Sequence, residues 1–268
     1  MANKIVVPIK QVPETKSVKM DEKTGTVIRE GVDSIVNPLD LYAIEAALRL
    51  RDRYGGEIVG ISMGPKKSVK ALKEAVSMGV DSAILLSDRA FAGSDTWATS
   101  LILASAIRKI GDFGLVVCGE RATDGDTGQV GPGIASFLGI PALTYVSRIQ
   151  DLSDKLCRAE RLIEDGREIL ETSLPAVLTV IKEAGEPRLP TLRGKKRAKD
   201  LDVQIWGNDE LGIDPDKIGL KGSPTRVVKI YRPKVARKCT IAEAKDEASV
   251  GPAVDRMCGF LADKGVLQ

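Results

Sequence analysis

Histidine is absent from this 268-residue sequence, and its absence narrows the chemistry that the chain can perform. Ser-His-Asp and Cys-His catalysis are excluded, as is any site that needs a histidine metal ligand or proton shuttle. The four cysteines lie far apart without a Cys-x-x-Cys pair, so no zinc site, iron–sulfur cluster or disulfide framework is predicted. These absences favour a carrier whose chemistry belongs to a bound cofactor.

Long apolar runs and a strong charge of either sign are also lacking. No run approaches the roughly 18 apolar residues of a membrane span, and the N-terminus lacks signal-peptide and transit-peptide character. A net charge of +3 is too small to indicate a nucleic-acid or membrane partner. With 43% hydrophobic and 29% charged residues, the composition is typical of a soluble globular protein, which we expect in the cytoplasm.

The first half of the chain alternates strand and helix patterns. Asp40 and Ser94 are candidate N-caps, and glycines follow the helical patterns at residues 55, 79, 111 and 139. This alternation predicts an α/β fold with a doubly wound, mostly parallel sheet. The predicted strands are residues 5–9, 58–62, 83–86, 115–118 and 143–146, and the predicted helices are residues 41–54, 66–78, 95–110 and 129–138.

From about residue 148 the pattern changes. Short alternating segments around the turn at residues 164–167 predict an antiparallel hairpin, and residues 175–181 predict one more strand. Beyond them periodicity is weak until an amphipathic helix at residues 248–264. We therefore divide the chain into a nucleotide-binding α/β domain, residues 1–185, and a C-terminal arm, residues 186–268. We expect the arm to pack on a partner subunit; the alternative is that it packs on its own domain.

Residues 114–131 carry the strongest functional pattern. A Val-rich strand leads into a loop of Gly, Asp and Thr, and a helical pattern follows. In this arrangement backbone N–H groups and a helix N-terminus converge on an anion. No Lys-Ser/Thr pair follows the glycines, and the last glycine of a GxGxxG fingerprint is missing. The loop therefore indicates either a nucleotide site or a connection chosen for turn geometry alone.

Three segments resemble the beta subunit of electron-transfer flavoproteins. They are VPIKQVP at residues 7–13 with NPLD at 37–40, DGDTGQVG at 124–131, and AERLIEDGREIL at 159–170 leading to LPAVLT at 174–179. The resemblance implies a heterodimer with a flavin-carrying alpha subunit that exchanges electrons with acyl-CoA dehydrogenases. In one branch of the family the beta subunit binds AMP. In the other it binds a second FAD and uses it with NADH for electron bifurcation; residues 89–96 and 219–225 are similar to this branch.

The resemblance and the loop pattern together give a set of expected residues. Leu192 is expected to contact a dehydrogenase, and FAD is the expected ligand, with AMP as the alternative. A nucleotide-binding regulatory module without a redox role and an ATP-cleaving ligase remain competing functions. The expected cofactor-binding residues are Pro8, Lys10, Asn37, Asp40, Met63, Arg89, Thr96, Cys118, Asp124, Gly125, Asp126, Thr127, Gly128, Gln129, Val130 and Gly131.

Overall fold

The structure is a computed structural model that describes residues 4–14, 19–20, 27–28, 34–228 and 241–267. Contacts divide the chain into two units, residues 1–229 and residues 230–268. In chain order, the strands of the described residues are β1 (Lys4–Pro8), β2 (Gln11–Pro13), β3 (Lys19–Met20), β4 (Val27–Ile28), β5 (Ser34–Val36), β6 (Glu57–Met63), β7 (Ser82–Leu86), β8 (Phe113–Gly119), β9 (Ala142–Leu152), β10 (Leu156–Ile163), β11 (Gly166–Ser173), β12 (Ala176–Val180) and β13 (Gln204–Trp206).

One large sheet organises the first unit. Within the described part of the chain its order is β11-β10-β9-β12-β8-β1-β6-β7-β13. The neighbours from β9 to β13 run parallel, whereas β10 pairs antiparallel with both β9 and β11. β2 with β5, and β3 with β4, form separate antiparallel pairs. The prediction of a mostly parallel sheet with an antiparallel hairpin is confirmed.

Helices cover both faces of this sheet. The described helices are α1 (Pro38–Tyr54), α2 (Val69–Met78), α3 (Thr96–Ile110), α4 (Val130–Leu138), α5 (Leu192–Asp200), α6 (Asn208–Leu211), α7 (Gly219–Gly222) and α8 (Glu247–Asp263). Side chains alternate between the faces along β1: Ile5 and Val7 pack with α1 and α2, and Val6 packs with α3 and α4. Both faces of the parallel strands are therefore buried, which explains their continuous apolar runs.

Residues 186–228 join the first unit, although the sequence places the start of the arm at residue 186. β13 pairs with β7, and Ala198 of α5 is buried in the core beside α2. Leu201 and Trp206 pack partly against the same unit. β13 is three residues long and α5 is nine, and such short elements do not produce a clear periodicity of apolar residues in the sequence.

The second unit contains α8, which matches the amphipathic helix expected at residues 248–264. Its apolar side chains recur at helical spacing, and within the described part of this unit none of them is buried. Val250, Val254, Met257 and Phe260 are between 45% and 60% exposed.

Candidate functional site

The carboxyl ends of β1 and β8 border a cavity of about 360 Å³. These strands are neighbours in the sheet, and the helices that follow them, α1 and α4, pack on opposite faces. Where neighbouring parallel strands send their connections to opposite faces, the loops diverge and leave the crevice in which open α/β sheets bind ligands. This cavity is therefore the candidate functional site.

The structure brings most of the expected cofactor-binding residues to this cavity. Asn37 is buried and Asp124 is exposed; neither lines the cavity, but both hydrogen-bond to residues that do. Gln129 is the N-cap of α4, and Arg89 is exposed on a 3-10 turn outside the lining. The expected residues that line the cavity are Pro8, Lys10, Asp40, Met63, Thr96, Cys118, Gly125, Asp126, Thr127, Gly128, Val130 and Gly131.

The sequence reasoning missed several other lining residues. Thr99 follows Thr96 by one helical turn and lines the same wall. Arg121 comes two residues after β8, at the strand end where ligand contacts are expected. The helical spacing of Thr99 and the strand-end position of Arg121 can both be seen in the sequence. Ser94, Asp95, Leu103, Glu120 and Ala122 line the cavity as well.

The loop between β8 and α4 can present backbone donors to an anion. Gln129 makes no side-chain cap hydrogen bond, so no side chain from it occupies the first N–H groups of α4. Gly128 and Asp126 adopt positive φ angles of 64° and 54°, which turn the chain sharply before the helix. A Cβ at Gly131 would stand 2.5 Å from Thr179 Cγ2, so only glycine lets α4 begin this close to β12.

Asn37 joins this loop to the start of α1. Its side chain is fully buried, and its Nδ2 donates to Asp40 Oδ1 and to the carbonyl oxygen of Arg121, both at 2.9 Å. Its Oδ1 accepts from the backbone N–H of Thr123 at 3.2 Å. One amide side chain therefore fixes the loop behind the cavity, and its buried donor and acceptor are both satisfied.

Asp40 is a buried carboxylate in the cavity wall. α1 begins at Pro38 with Asn37 as the N-cap, so the predicted cap position of Asp40 is wrong. Proline is favoured at the first helical position, and this starts the helix earlier than the apolar pattern indicates. Asp40 accepts hydrogen bonds from Asn37 and from the backbone N–H of Lys10, the latter at 2.7 Å. Burial outweighs these hydrogen bonds and raises the pKa of Asp40 to about 7.

Lys10 and Arg121 form ion pairs with carboxylates of the loop between β8 and α4. Lys10 Nζ contacts Asp124 Oδ1 at 2.6 Å. Arg121 Nε contacts Asp126 Oδ1 at 2.9 Å and lies 3.5 Å from Glu120 Oε1. In the Lys10–Asp124 and Arg121–Asp126 pairs, each side chain is at least one-third exposed. Solvent therefore screens both ion pairs, and each of them is weak.

Another part of the cavity wall comes from the start of α3 and the residues just before it. Asp95, not the predicted Ser94, caps this helix, while the Ser94 hydroxyl accepts from the N–H of Gly219. Asp95 Oδ2 also accepts from the hydroxyl and the N–H of Thr225, at 2.7 and 3.0 Å. Residues 219–225 and 89–96, the two segments singled out together in the sequence, are therefore in direct contact. Nearby, Thr96 and Thr127 approach to 3.3 Å between their hydroxyl oxygens.

The remaining chemistry of the described residues is limited. No group of three or more His, Cys, Asp or Glu residues among them could hold a metal ion. Burial raises the pKa of the Cys118 thiol far above its ordinary value, so Cys118 contributes a neutral, apolar surface to the cavity. None of the helices that the structure describes is long and apolar enough to cross a membrane.

The fold and the cavity define the class of protein: a doubly wound α/β protein with its candidate ligand crevice at the point where the strand order reverses. The family description "Electron transfer flavoprotein domain" matches residues 24–210. The chain belongs to the electron transfer flavoprotein family, as a beta subunit, and the resemblance seen in the sequence is confirmed. Beta subunits of this family pair with alpha subunits, and the family transfers electrons through flavin.

Relatives cover nearly the whole chain. An electron transfer flavoprotein subunit beta of Thermoanaerobacterium thermosaccharolyticum is 47% identical over 254 residues, 94% of this chain and 97% of the relative. The caffeyl-CoA reductase-Etf complex subunit CarD of Acetobacterium woodii is 44% identical over 97% of both chains. Protein FixA of Azorhizobium caulinodans is 44% identical over 91% of this chain and 90% of the relative.

Proposed function

We propose that this beta subunit binds FAD in the cavity between β1 and β8 and carries electrons between NADH and the flavin of an alpha subunit. The observation that carries the proposal is the convergence on one cavity of the loop at residues 124–131 and the N-terminus of α4. Backbone N–H groups at such a terminus attract anions, and the helix dipole contributes roughly 0.3–1 kcal/mol.

The donor set of the cavity fits a dinucleotide. The Thr127 hydroxyl, the Lys10 ammonium and the loop N–H groups can donate to phosphate and ribose oxygens. Met63, Leu103 and Cys118 supply apolar surface for a planar ring. When bound, FAD supplies hydride and single-electron chemistry; the residues of this chain bind it, orient it and exclude water.

FAD is favoured over AMP because the cavity extends beyond the loop between β8 and α4. Ser94 and Asp95, just before α3, and Thr96 and Thr99, in its first turn, add a polar wall that AMP alone would not need. The relative CarD, named as a subunit of a caffeyl-CoA reductase-Etf complex, favours a chain that works within a multi-enzyme redox assembly. Membership of a flavoprotein family favours electron transfer over a non-redox regulatory role and over ATP cleavage.

Two surfaces are proposed for partners. The apolar face of α8, with its half-exposed Val250, Val254 and Met257, is of the kind that a partner helix or groove covers, and we assign it to the alpha subunit. Leu192 at the start of α5 is 87% exposed, and we assign it to an acyl-CoA dehydrogenase. The basic residues that follow it would raise the association rate with an acidic partner surface.

Nucleotide content tests the cofactor assignment. The purified heterodimer is acid-extracted, and the released nucleotides are quantified by chromatography. We expect two FAD molecules per heterodimer, with one of them lost in the double variant Thr127→Val, Gln129→Leu. Thr172→Val on β11, outside the cavity, is the matched control and should retain both. One FAD together with one AMP would overturn the FAD assignment while leaving the nucleotide site in place.

A further inference from the structure

The two cations that line the described cavity already pair with carboxylates of the loop between β8 and α4. Lys10, at the end of β1, pairs with Asp124. Arg121, just after β8, pairs with Asp126. Arg121 is 49% exposed and lines the cavity, so its guanidinium can reach either the loop carboxylate or a ligand at the same mouth.

The balance of charge explains why these pairs matter for an anion. Besides Asp126, the lining contains the acidic residues Asp40, Asp95 and Glu120, whereas Lys10 and Arg121 are the lysine and arginine among the described lining residues. A phosphate that enters meets a net negative rim unless the two cations turn towards it. Each loop carboxylate therefore competes with the ligand for its own cation. Exposed ion pairs are weak, so a phosphate group can displace them.

We propose that Arg121 is a specificity-determining residue, which exchanges Asp126 for a second phosphate group and so selects diphosphate over monophosphate ligands. The inference rests on the proposed nucleotide site and names the chemistry that this site selects. Lys10 acts as a point charge for one phosphate group. The planar guanidinium of Arg121 can bind another in a bidentate manner, which lysine cannot reproduce.

Substitutions of Asp126 and of Arg121 should change diphosphate affinity in opposite directions. Its backbone is left-handed, with φ at 54°, and its side chain is 72% exposed. Asparagine tolerates this conformation, so Asp126→Asn removes the closer of the two carboxylates beside Arg121, Glu120 being the other, and leaves the loop geometry intact. The exchange requires that removing the carboxylate tightens diphosphate binding, whereas removing the guanidinium weakens it.

Calorimetry on the nucleotide-stripped heterodimer separates these effects, with ADP, AMP and adenosine as probes. Arg121→Gln should weaken ADP binding about tenfold, change AMP binding little and leave adenosine binding unchanged. Arg121→Lys should fall between wild type and Arg121→Gln. Asp126→Asn should tighten ADP binding several-fold, and this gain should vanish in the Arg121→Gln background, as expected for two residues that interact directly.

Arg158→Gln is the matched control, because it removes one positive charge from a half-exposed pair on the hairpin. It should leave the ADP-to-AMP affinity ratio unchanged. An unchanged ratio in Arg121→Gln, or weaker ADP binding in Asp126→Asn, would overturn the exchange while the nucleotide site stands. If the wild-type heterodimer binds none of the three probes, the nucleotide site itself is wrong.

Discussion

Arg188 binds Glu45 through three nitrogen atoms. The backbone N, Nε and Nη2 of Arg188 lie 3.1, 2.9 and 3.3 Å from the Glu45 carboxylate oxygens. This carboxylate is only 4% exposed, and it also accepts from Arg49 Nε at 2.8 Å. The pairing ties the segment before α5 to α1, and the exposed Leu192 follows four residues later.

Glu45→Gln should lower the free energy of unfolding by about 1–3 kcal/mol, because a neutral amide cannot keep the charge-assisted hydrogen bonds. Burial alone would raise the pKa of Glu45, but the hydrogen bonds from Arg188 and Arg49 outweigh it and hold that pKa below the ordinary 4.5. The stabilisation is therefore present above pH 4.5 and lost as the pH falls through the lower folded-state pKa. Urea unfolding at several pH values should show the two proteins converging in acid; a constant difference would contradict the pairing.

Asp40→Asn should remove a pH dependence from stability. The pKa of Asp40 in the folded chain, about 7, lies above its ordinary 3.8, so its contribution is full below pH 3.8 and declines as the pH rises through about 7. The wild type should therefore lose stability relative to the variant over this interval. Denaturant titrations of both proteins measure the difference, in which all other titrating groups cancel. Parallel profiles would show that Asp40 is ionised in the ordinary range.

Gly131→Ala should disturb the start of α4. Its Cβ would meet Thr179 Cγ2 at 2.5 Å, so either the helix or β12 must shift, at a cost of about 1–3 kcal/mol. Nucleotide content should fall together with the thermal midpoint. Gly251→Ala is the matched control: it lies in α8 with no heavy atom within 4 Å of the added Cβ, and alanine favours helix. Full nucleotide retention by Gly131→Ala would argue against a site at this helix terminus.

Leu192→Ala should weaken docking of an acyl-CoA dehydrogenase about tenfold, mainly through faster dissociation. Surface plasmon resonance on the heterodimer measures both rates. Leu162→Ala, which truncates a 43% exposed leucine on the hairpin, is the control. Raising the salt concentration should slow association, because Lys195 and Lys196 next to Leu192 contribute electrostatic steering. Equal rates for both leucine variants would place the dehydrogenase elsewhere.

Deletion of residues 241–268 should abolish stable pairing with the alpha subunit while leaving the first unit folded. The first unit has its own two-faced core, and α8 exposes its apolar face within the second. Size-exclusion chromatography of the co-expressed subunits reports the pairing, and circular dichroism reports the fold. A truncated chain that still co-elutes with the alpha subunit would move the interface to the first unit.

The fold could be predicted where its signals are local. The buried strands are continuous apolar runs, and each of the four predicted helices ends at the predicted glycine. β13 could not be predicted, because a strand of three residues at a sheet edge is too short to show an alternation of apolar and polar residues. Its place beside β7 depends on a contact between segments more than a hundred residues apart.

The candidate site shows the same division. That the residues at strand ends lie close together could be predicted, because the carboxyl ends of parallel strands meet at one rim. Arg121 also follows a strand end, but an arginine in a loop is usually solvated, so this position alone does not predict that its side chain lines the cavity. Arg89 was expected among the cofactor contacts but lies outside the lining. The orientation of its turn depends on residues 219–225, which pack against it from a distant part of the chain.

Gly119 and Asp40 both line the cavity and lie so close together that residue 119 has no room for a side chain. A Cβ at Gly119 would stand 2.5 Å from Asp40 Oδ1 and 2.8 Å from the Leu39 backbone. The main chain of Leu39 therefore excludes a side chain at residue 119 whatever residue stands at position 40, and we expect glycine at this position throughout the family. A relative with a side chain there would have to move the first turn of α1, and its residue 40 would then leave the Lys10 N–H and the Asn37 amide that Asp40 contacts in this chain.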